Sequence, residues 1–464
     1  MPHLGRRHFL KNALFGTSAV PLYSLLTGLP PAFLLGRQTA FAQSTLEPHF
    51  LILSSGAAGH PLNTNVPGTY PSNPDDGNDP RQLVEHPLVS ELGTNARGTV
   101  GGQAFSASAF ENPSELRLGA TTTLAAGPWT ALPQALRNRL AFIHHATYSN
   151  AHPEFSTVME FHGAVRGPEG TGREMFTSFV AQENAAGLGT LMNRPINIGA
   201  NALTFEGRPI NIMRPDDLKS LFASRRHPTR IDDPSQIVRL RDRAIDQVYR
   251  DVRQNGTKRQ RNFLDRYALA RTQAANLGDS LVPLLADISG NLPLDQIKTA
   301  VALIRLRVTP VVMLQLPYGG DNHQDSNLSV EVGETLSSIG VIEALWTQLT
   351  AAGLEDRVTF AHLDVFGRRL RRNGGRGRNH NRDHHVMMTF GPRTVPGVYG
   401  GIEPYYRSNG RLEDFRAIDL ASNIPKEQSL EAAGKTLAGM VGVPTDRIER
   451  RIAGGAVIPG AIKV

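Results

Sequence analysis

Short apolar runs alternating with long helical stretches constrain this chain more than any other feature. HFLILS (49–54), LAFIHHAT (140–147), VTPVVMLQL (308–316), VTFAHL (358–363) and VMMTF (386–390) carry apolar side chains with no helical period. Runs of this length and pattern read as strands buried on both faces. Residues 294–305, 333–353 and 429–441 read as helices, the second closing on Gly353. Residues 133–140 read as a short helix and 151–190 as helix and loop. Buried strands alternating with helices give an α/β fold with a mostly parallel central sheet covered on both faces. Two segments depart from this rhythm. Residues 63–128 are rich in Gly, Pro, Asn and Asp and read as mostly loop. SQIVRLRDRAIDQVYRDVRQ and KRQRNFLDRYALARTQAANLG carry apolar residues at three- and four-residue spacing with Arg/Asp faces. They predict two long amphipathic helices, a solvated helical hairpin inserted at about 231–290.

The N-terminus reads as an export signal rather than as part of the fold. Arg6-Arg7 opens a twin-arginine pattern, followed by a weakly apolar run from Ala13 to Leu35 and the small-x-small sequence Ala40-Phe41-Ala42. Gly16, Pro21, Gly28, Pro30 and Pro31 break that run, which suits a cleaved signal better than a spanning helix. Cleavage is expected after Ala42, giving residues 1–42 as signal peptide and 43–464 as a single domain. Export by the twin-arginine route predicts a periplasmic or extracellular protein with no stable membrane span after cleavage. The formal charge of +7 includes four cations and no acid from residues 1–42, so the mature part carries +3. That is too little for a general nucleic-acid role. The chain has no cysteine, which excludes disulfides, thiolate metal sites and a cysteine nucleophile.

In α/β sheets, ligands sit beyond the carboxyl ends of the strands. The loops there read SGAAGH (55–60), YSNAHPEF (148–155), PYGGDNHQD (317–325) and DVFGRRLRRNGGRGRNHNRDHH (364–385). Asp321 and His323 alternate just past a strand and, in extended backbone, point to one side. A carboxylate with imidazoles suits zinc, manganese or iron better than calcium. A third ligand from 380–385 would complete a site with a position open for water. Alone, a D-x-H pair is a weak signal, and the histidine-rich loop after the next strand strengthens it. Arg368, Arg369, Arg371, Arg372, Arg376 and Arg378 read either as a solvated loop or as a source of one or two anion-clamping guanidiniums. Arg368, nearest the strand end, is the expected inward one. No G-x-S-x-G, H-E-x-x-H, G-x-x-x-x-G-K or dinucleotide-binding glycine pattern occurs.

Four segments carry a resemblance: HFLILSSGAAGHPLN, AFIHHATYSNAHPEF, GGDNHQD and DRVTFAHLDVFGRRLRRNGG…NH. Through them the mature chain resembles the exported bacterial family known as domain of unknown function 1501, which is similar to the alkaline phosphatase and sulfatase superfamily. The resemblance implies an alkaline-phosphatase-like three-layer sandwich. It implies that Asp321, His323 and His380 hold a metal, that His152 lies at the site and that Arg368 is the family arginine. The family pattern is also broken. Ala57-Ala58, Ala151, Val365 and Asn379 stand where it has acids or a hydroxyl. Asp364 and His60 are neighbours that could replace the acids. His384 and His385 add ligand capacity, and Thr147, Ser149 and Ser156 offer hydroxyls.

Two functions follow. One is a metal-dependent hydrolase of anionic phosphate or sulfate esters, with one ion on Asp321, His323 and His380, Arg368 on the anion and His152 or Asp364 moving the proton. The other is a catalytically degenerate member without a metal cofactor, which binds an extracytoplasmic ligand or partner.

Overall fold

The computed structural model describes residues 47–70, 97–199, 201–223 and 280–463, with a few isolated positions between 243 and 257. The expected signal peptide, residues 71–96 and most of the expected helical insertion lie outside the described residues. No helix among the described residues is long and apolar enough to cross a membrane.

A seven-stranded sheet organises the molecule. Its strands are β1 (Phe50–Ser54), β2 (Leu140–His145), β3 (Ile196–Asn197), β4 (Val311–Leu314), β5 (Val358–His362), β6 (His385–Phe390) and β7 (Gly397–Tyr399). Their spatial order is β7-β2-β6-β5-β1-β4-β3. All neighbours pair parallel except at β6, which runs against both β5 and β2. The expected α/β fold with a mostly parallel sheet is therefore present, with one reversed strand that the apolar runs did not announce.

Strand periodicity divides the core in two. In β1, Phe50 and Ile52 face one apolar cluster, and Leu51 and Leu53 face another. The first cluster is closed by α2 (Pro293–Arg305) and α3 (Ser329–Ala351), the second by α1 (Phe176–Leu188) and α4 (Ser429–Met440). Because both strand faces are covered, the runs read as continuous rather than alternating apolar stretches. Gly353, in the left-handed region at φ 63°, stops α3 as its position suggests.

The described part of 63–128 differs from the expected loop. Arg97–Val100 pairs with Gln103–Ser106, and Ser114–Leu118 pairs with Thr121–Ala125. In SELRL, Leu116 and Leu118 are buried while Glu115 and Arg117 are exposed. This two-residue alternation is short, and the surrounding turn residues outweigh it in composition. Val100, Phe105, Leu116, Leu118 and Trp129 join the same apolar cluster as one sheet face.

Reversal of β6 has a consequence for the site. The carboxyl ends of β1, β2, β4 and β5 lie at one sheet edge, and so does the amino end of the antiparallel β6. The loop that precedes β6 therefore joins the loops that follow the other strands.

Candidate metal centre

Those loops bring His152, Asp321, His323 and His380 together, with one ligand atom from each within 4.8 Å of the others. Among the described residues this is the one grouping of three or more such side chains. His323 Nε2 and His380 Nε2 are 2.8 Å apart. Asp321 lies 3.6 Å from His323 Nε2 through Oδ1 and 3.4 Å from His152 Nε2 through Oδ2. The His152 and His323 side chains are about a third exposed and Asp321 is half exposed, so solvent reaches the cluster.

The ring hydrogens are tied back into the protein. His152 Nδ1 lies 2.5 Å from Ala57 O, and His380 Nδ1 lies 2.7 Å from Asn150 O. A carbonyl only accepts, so both Nδ1 atoms carry the hydrogen and both Nε2 atoms present lone pairs. His323 Nδ1 faces Asn379 Oδ1 at 3.2 Å, which gives it the same orientation. Two imidazole lone pairs facing at 2.8 Å repel unless a proton or a cation stands between them. Burial lowers the His380 pKa to about 4, opposed by its bond to Asn150 O and assisted by nearby Arg368. Three imidazole nitrogens and a carboxylate, each anchored from behind, fit a divalent cation. The cluster could hold a metal ion.

Arg368 sits beneath it and acts differently from the anion clamp expected. Its side chain is fully buried. Nε donates to Gly59 O (2.5 Å), Nη1 to Arg378 O (3.2 Å), and Nη2 to Ala58 O (2.6 Å) and Asp321 Oδ1 (2.8 Å). A guanidinium committed in this way has no donor directed at a substrate. It fixes Asp321 and fastens the first loop. Burial alone would raise the Asp321 pKa, but Arg368 and the neighbouring histidines hold it below the usual value. Arg378 also turns inward, where Nε meets Glu331 Oε2 at 2.7 Å with both side chains buried. Two arginines of the six are thus internal, and both bind protein groups.

Close backbone packing sets the register of the loops. Gly377 N donates to His323 O at 3.0 Å, and a Cβ at Gly377 would overlap Asn322 O. Gly59, at φ 67°, lies against the Phe366 ring, where no side chain fits. Phe366 in turn stacks on His380, with ring centroids 3.9 Å apart.

The other expected site residues lie elsewhere. Asp364 is buried beside His60, with Oδ2 3.0 Å from His60 Nε2, and burial raises its pKa to about 7. His385 is buried, and its Nε2 accepts from Asp364 N at 3.1 Å. His384 is buried and hydrogen-bonds through Nε2 to His144 Nδ1 at 2.9 Å and through Nδ1 to Asn63 Nδ2 at 3.2 Å. Neither His384 nor His385 is among the converging ligand atoms, because the chain turns inward as β6 begins. Val365 lies in the apolar core. Ser149 Oγ is occupied by Glu154, and Thr147 is fully buried. Nothing in the residue pattern pointed to the carbonyls of Ala57 and Asn150, since a backbone acceptor has no residue signature. Asn379, unremarkable as a substitute for an acid, orients His323.

No protein-family model matches the chain, and no curated protein matches it.

Proposed function

We propose that the chain is an exported metal-dependent hydrolase of phosphate or sulfate esters, an alkaline-phosphatase-like member of the family that its GGDNHQD and FGRRLRRNGG…NH segments resemble. One observation carries the reading. Three imidazole Nε2 atoms and one carboxylate converge at a solvent-reached point while their other polar atoms are held by the protein. A divalent ion bound there supplies Lewis-acid chemistry, polarising the ester and making water more acidic. The donor set admits zinc, manganese or iron. With Asp321, His323 and His380 as ligands, a tetrahedral zinc would keep one position for water or substrate and a six-coordinate ion three, with His152 left beside the ion. Asp321, His323 and His380 hold the ion, and Arg368 keeps Asp321 in place. His152 is anchored through Nδ1, which leaves Nε2 as the atom that accepts a proton from the attacking water.

A second reading is a degenerate member that binds an extracytoplasmic ligand without turnover. It is favoured by the burial of Arg368, which leaves the anion without that guanidinium, and by Val365 and Ala151 in place of reactive groups.

Metal analysis of the purified protein and turnover of aryl phosphate and aryl sulfate separate the two. Bound divalent metal, with hydrolysis that is lost in His323→Ala, supports the hydrolase. Absence of hydrolysis, with or without bound metal, supports the second reading, and no metal uptake overturns the assignment of these four residues as ligands.

A further inference from the structure

A cleft of about 500 Å³ opens beside the metal cluster, with His323 and His380 on one side. A hairpin of Ile402–Tyr406 and Leu412–Ala417 also lines it, through Tyr405 and 413–416. Tyr405 and Asp414 are cross-strand partners there, next to a register shift between Tyr405 and Tyr406. Directly opposed residues share a face, and bulges re-aim side chains beside sites. Both residues line the cleft. Tyr405 presents an exposed ring, whereas Asp414 is only 5% exposed. Asp414 Oδ1 accepts from Leu370 N and Phe415 N, but Oδ2 makes no hydrogen bond, Arg369 Nε standing 3.5 Å away. Oδ2 has the Arg369 ion pair but no hydrogen bond, so it keeps capacity for a donor in the cleft. Burial raises the Asp414 carboxyl to about 7, so near neutrality it both donates and accepts.

The charge of the cleft limits what the donor can be. Arg369, Arg382 and Arg416 face it, but each has a carboxylate within reach: Glu413 at 3.4 Å, Asp383 at 3.7 Å and Glu403 at 2.7 Å respectively. A polyanion finds no uncommitted cation among these three. Amide side chains from Asn150, Asn379 and Asn381 also line the cleft. We propose that the cleft binds an uncharged, hydroxyl-rich group of carbohydrate type, its hydroxyls on Asp414 and the amides and its C–H face on Tyr405. This rests on the hydrolase reading for its meaning: the sugar is the alcohol part of the ester, placed beside the ion that takes the anionic part.

The test needs no turnover. Saturation-transfer NMR on the full mature chain, treated with chelator, compares neutral methyl glycosides with a uronic acid and with simple aryl and alkyl alcohols. Neutral glycosides are expected to bind. Affinity should fall about tenfold in Asp414→Asn and several-fold in the exposed Tyr405→Ala, which leaves the core untouched. Absence of glycoside binding overturns the proposal. So does binding that Tyr405→Ala leaves unchanged, or equal binding of the uronic acid or the aryl alcohols. Hydrolysis of aryl esters without glycoside binding defeats this inference alone. Glycoside binding without metal uptake defeats the hydrolase and leaves the sugar site standing.

Discussion

His380 and His384 belong to one loop, and both contact a second histidine through ring nitrogens less than 3 Å apart. In the core, Pro67 O accepts from His144 Nε2 at 2.8 Å, so His144 Nδ1 is a bare lone pair that accepts from His384 Nε2. His384 Nδ1 then accepts from the Asn63 amide. Every donor in that chain meets an acceptor, and the rings stack within 9° of parallel. At the rim, the acceptors lie on the outer side of each ring instead, and the lone pairs meet one another. The same side chain is a structural hydrogen-bonding unit in one place and part of a cluster that could hold a metal ion in the other. What separates them is where the second nitrogen sends its hydrogen.

The largest expected contrast is with pH. Burial lowers His60 to about 3 and His144 and His145 to about 4, and pushes His362, His384 and His385 well below their ordinary value. The unfolded chain therefore takes up more protons than the folded chain as pH falls from about 6.5 towards 4. Each such histidine costs about 1.4 kcal/mol of stability per pH unit in that window. Asp364 and Asp414, raised to about 7, are protonated in the fold and act in the opposite direction across it. Burial also raises Glu160, Glu174, Glu183, Glu334 and Glu431, but the strongly lowered histidines outnumber the strongly raised carboxyls, so stability should rise from about pH 4.5 to about 6.5. Denaturant titrations at several pH values measure this, and a flat profile would show that burial does not hold these histidines neutral.

Paired substitutions sharpen it. His384→Ala strands His144 Nδ1 and Asn63 Nδ2 in the core and opens a cavity, and should cost about 3 kcal/mol in urea unfolding. His380→Ala removes a half-exposed ring and should cost about 1 kcal/mol or less while weakening metal binding by more than about a hundredfold. Equal stability losses, or metal binding that survives His380→Ala, would show that the two groups are not different in kind. The smallest effect is expected at Arg368→Lys. A point charge cannot replace a fork that serves Gly59, Ala58, Arg378 and Asp321 together. Metal affinity, measured by competition with a chromogenic chelator, should fall about tenfold, as for an outer-sphere partner. A fall as large as that of His380→Ala would make Arg368 more than a positioning residue.

Much of the scaffold was legible because five apolar runs were short, continuous and bounded by turn residues. The 97–125 hairpins were not, because their alternating pattern is brief and surrounded by glycine and polar residues. At the site, the D-x-H turn was visible because Asp321 and His323 follow a strand directly. The choice among His380, His384 and His385 was not visible, since three histidines in six positions look equivalent on paper. The cleft hairpin passed unread because Tyr405 and Asp414 form no local motif.

Composition and pattern alone determined an α/β sheet and an Asp-x-His turn at the carboxyl end of one of its strands, since apolar periodicity and residue chemistry are local properties. The tertiary structure decided which histidines converge with Asp321 and that the Arg368 side chain is buried against protein groups rather than open to an anion. Side-chain direction at a strand end depends on pairing with distant strands, here the antiparallel register of His385 with His145. The lone pair a ring presents depends on carbonyls supplied by other loops, Ala57 O and Asn150 O.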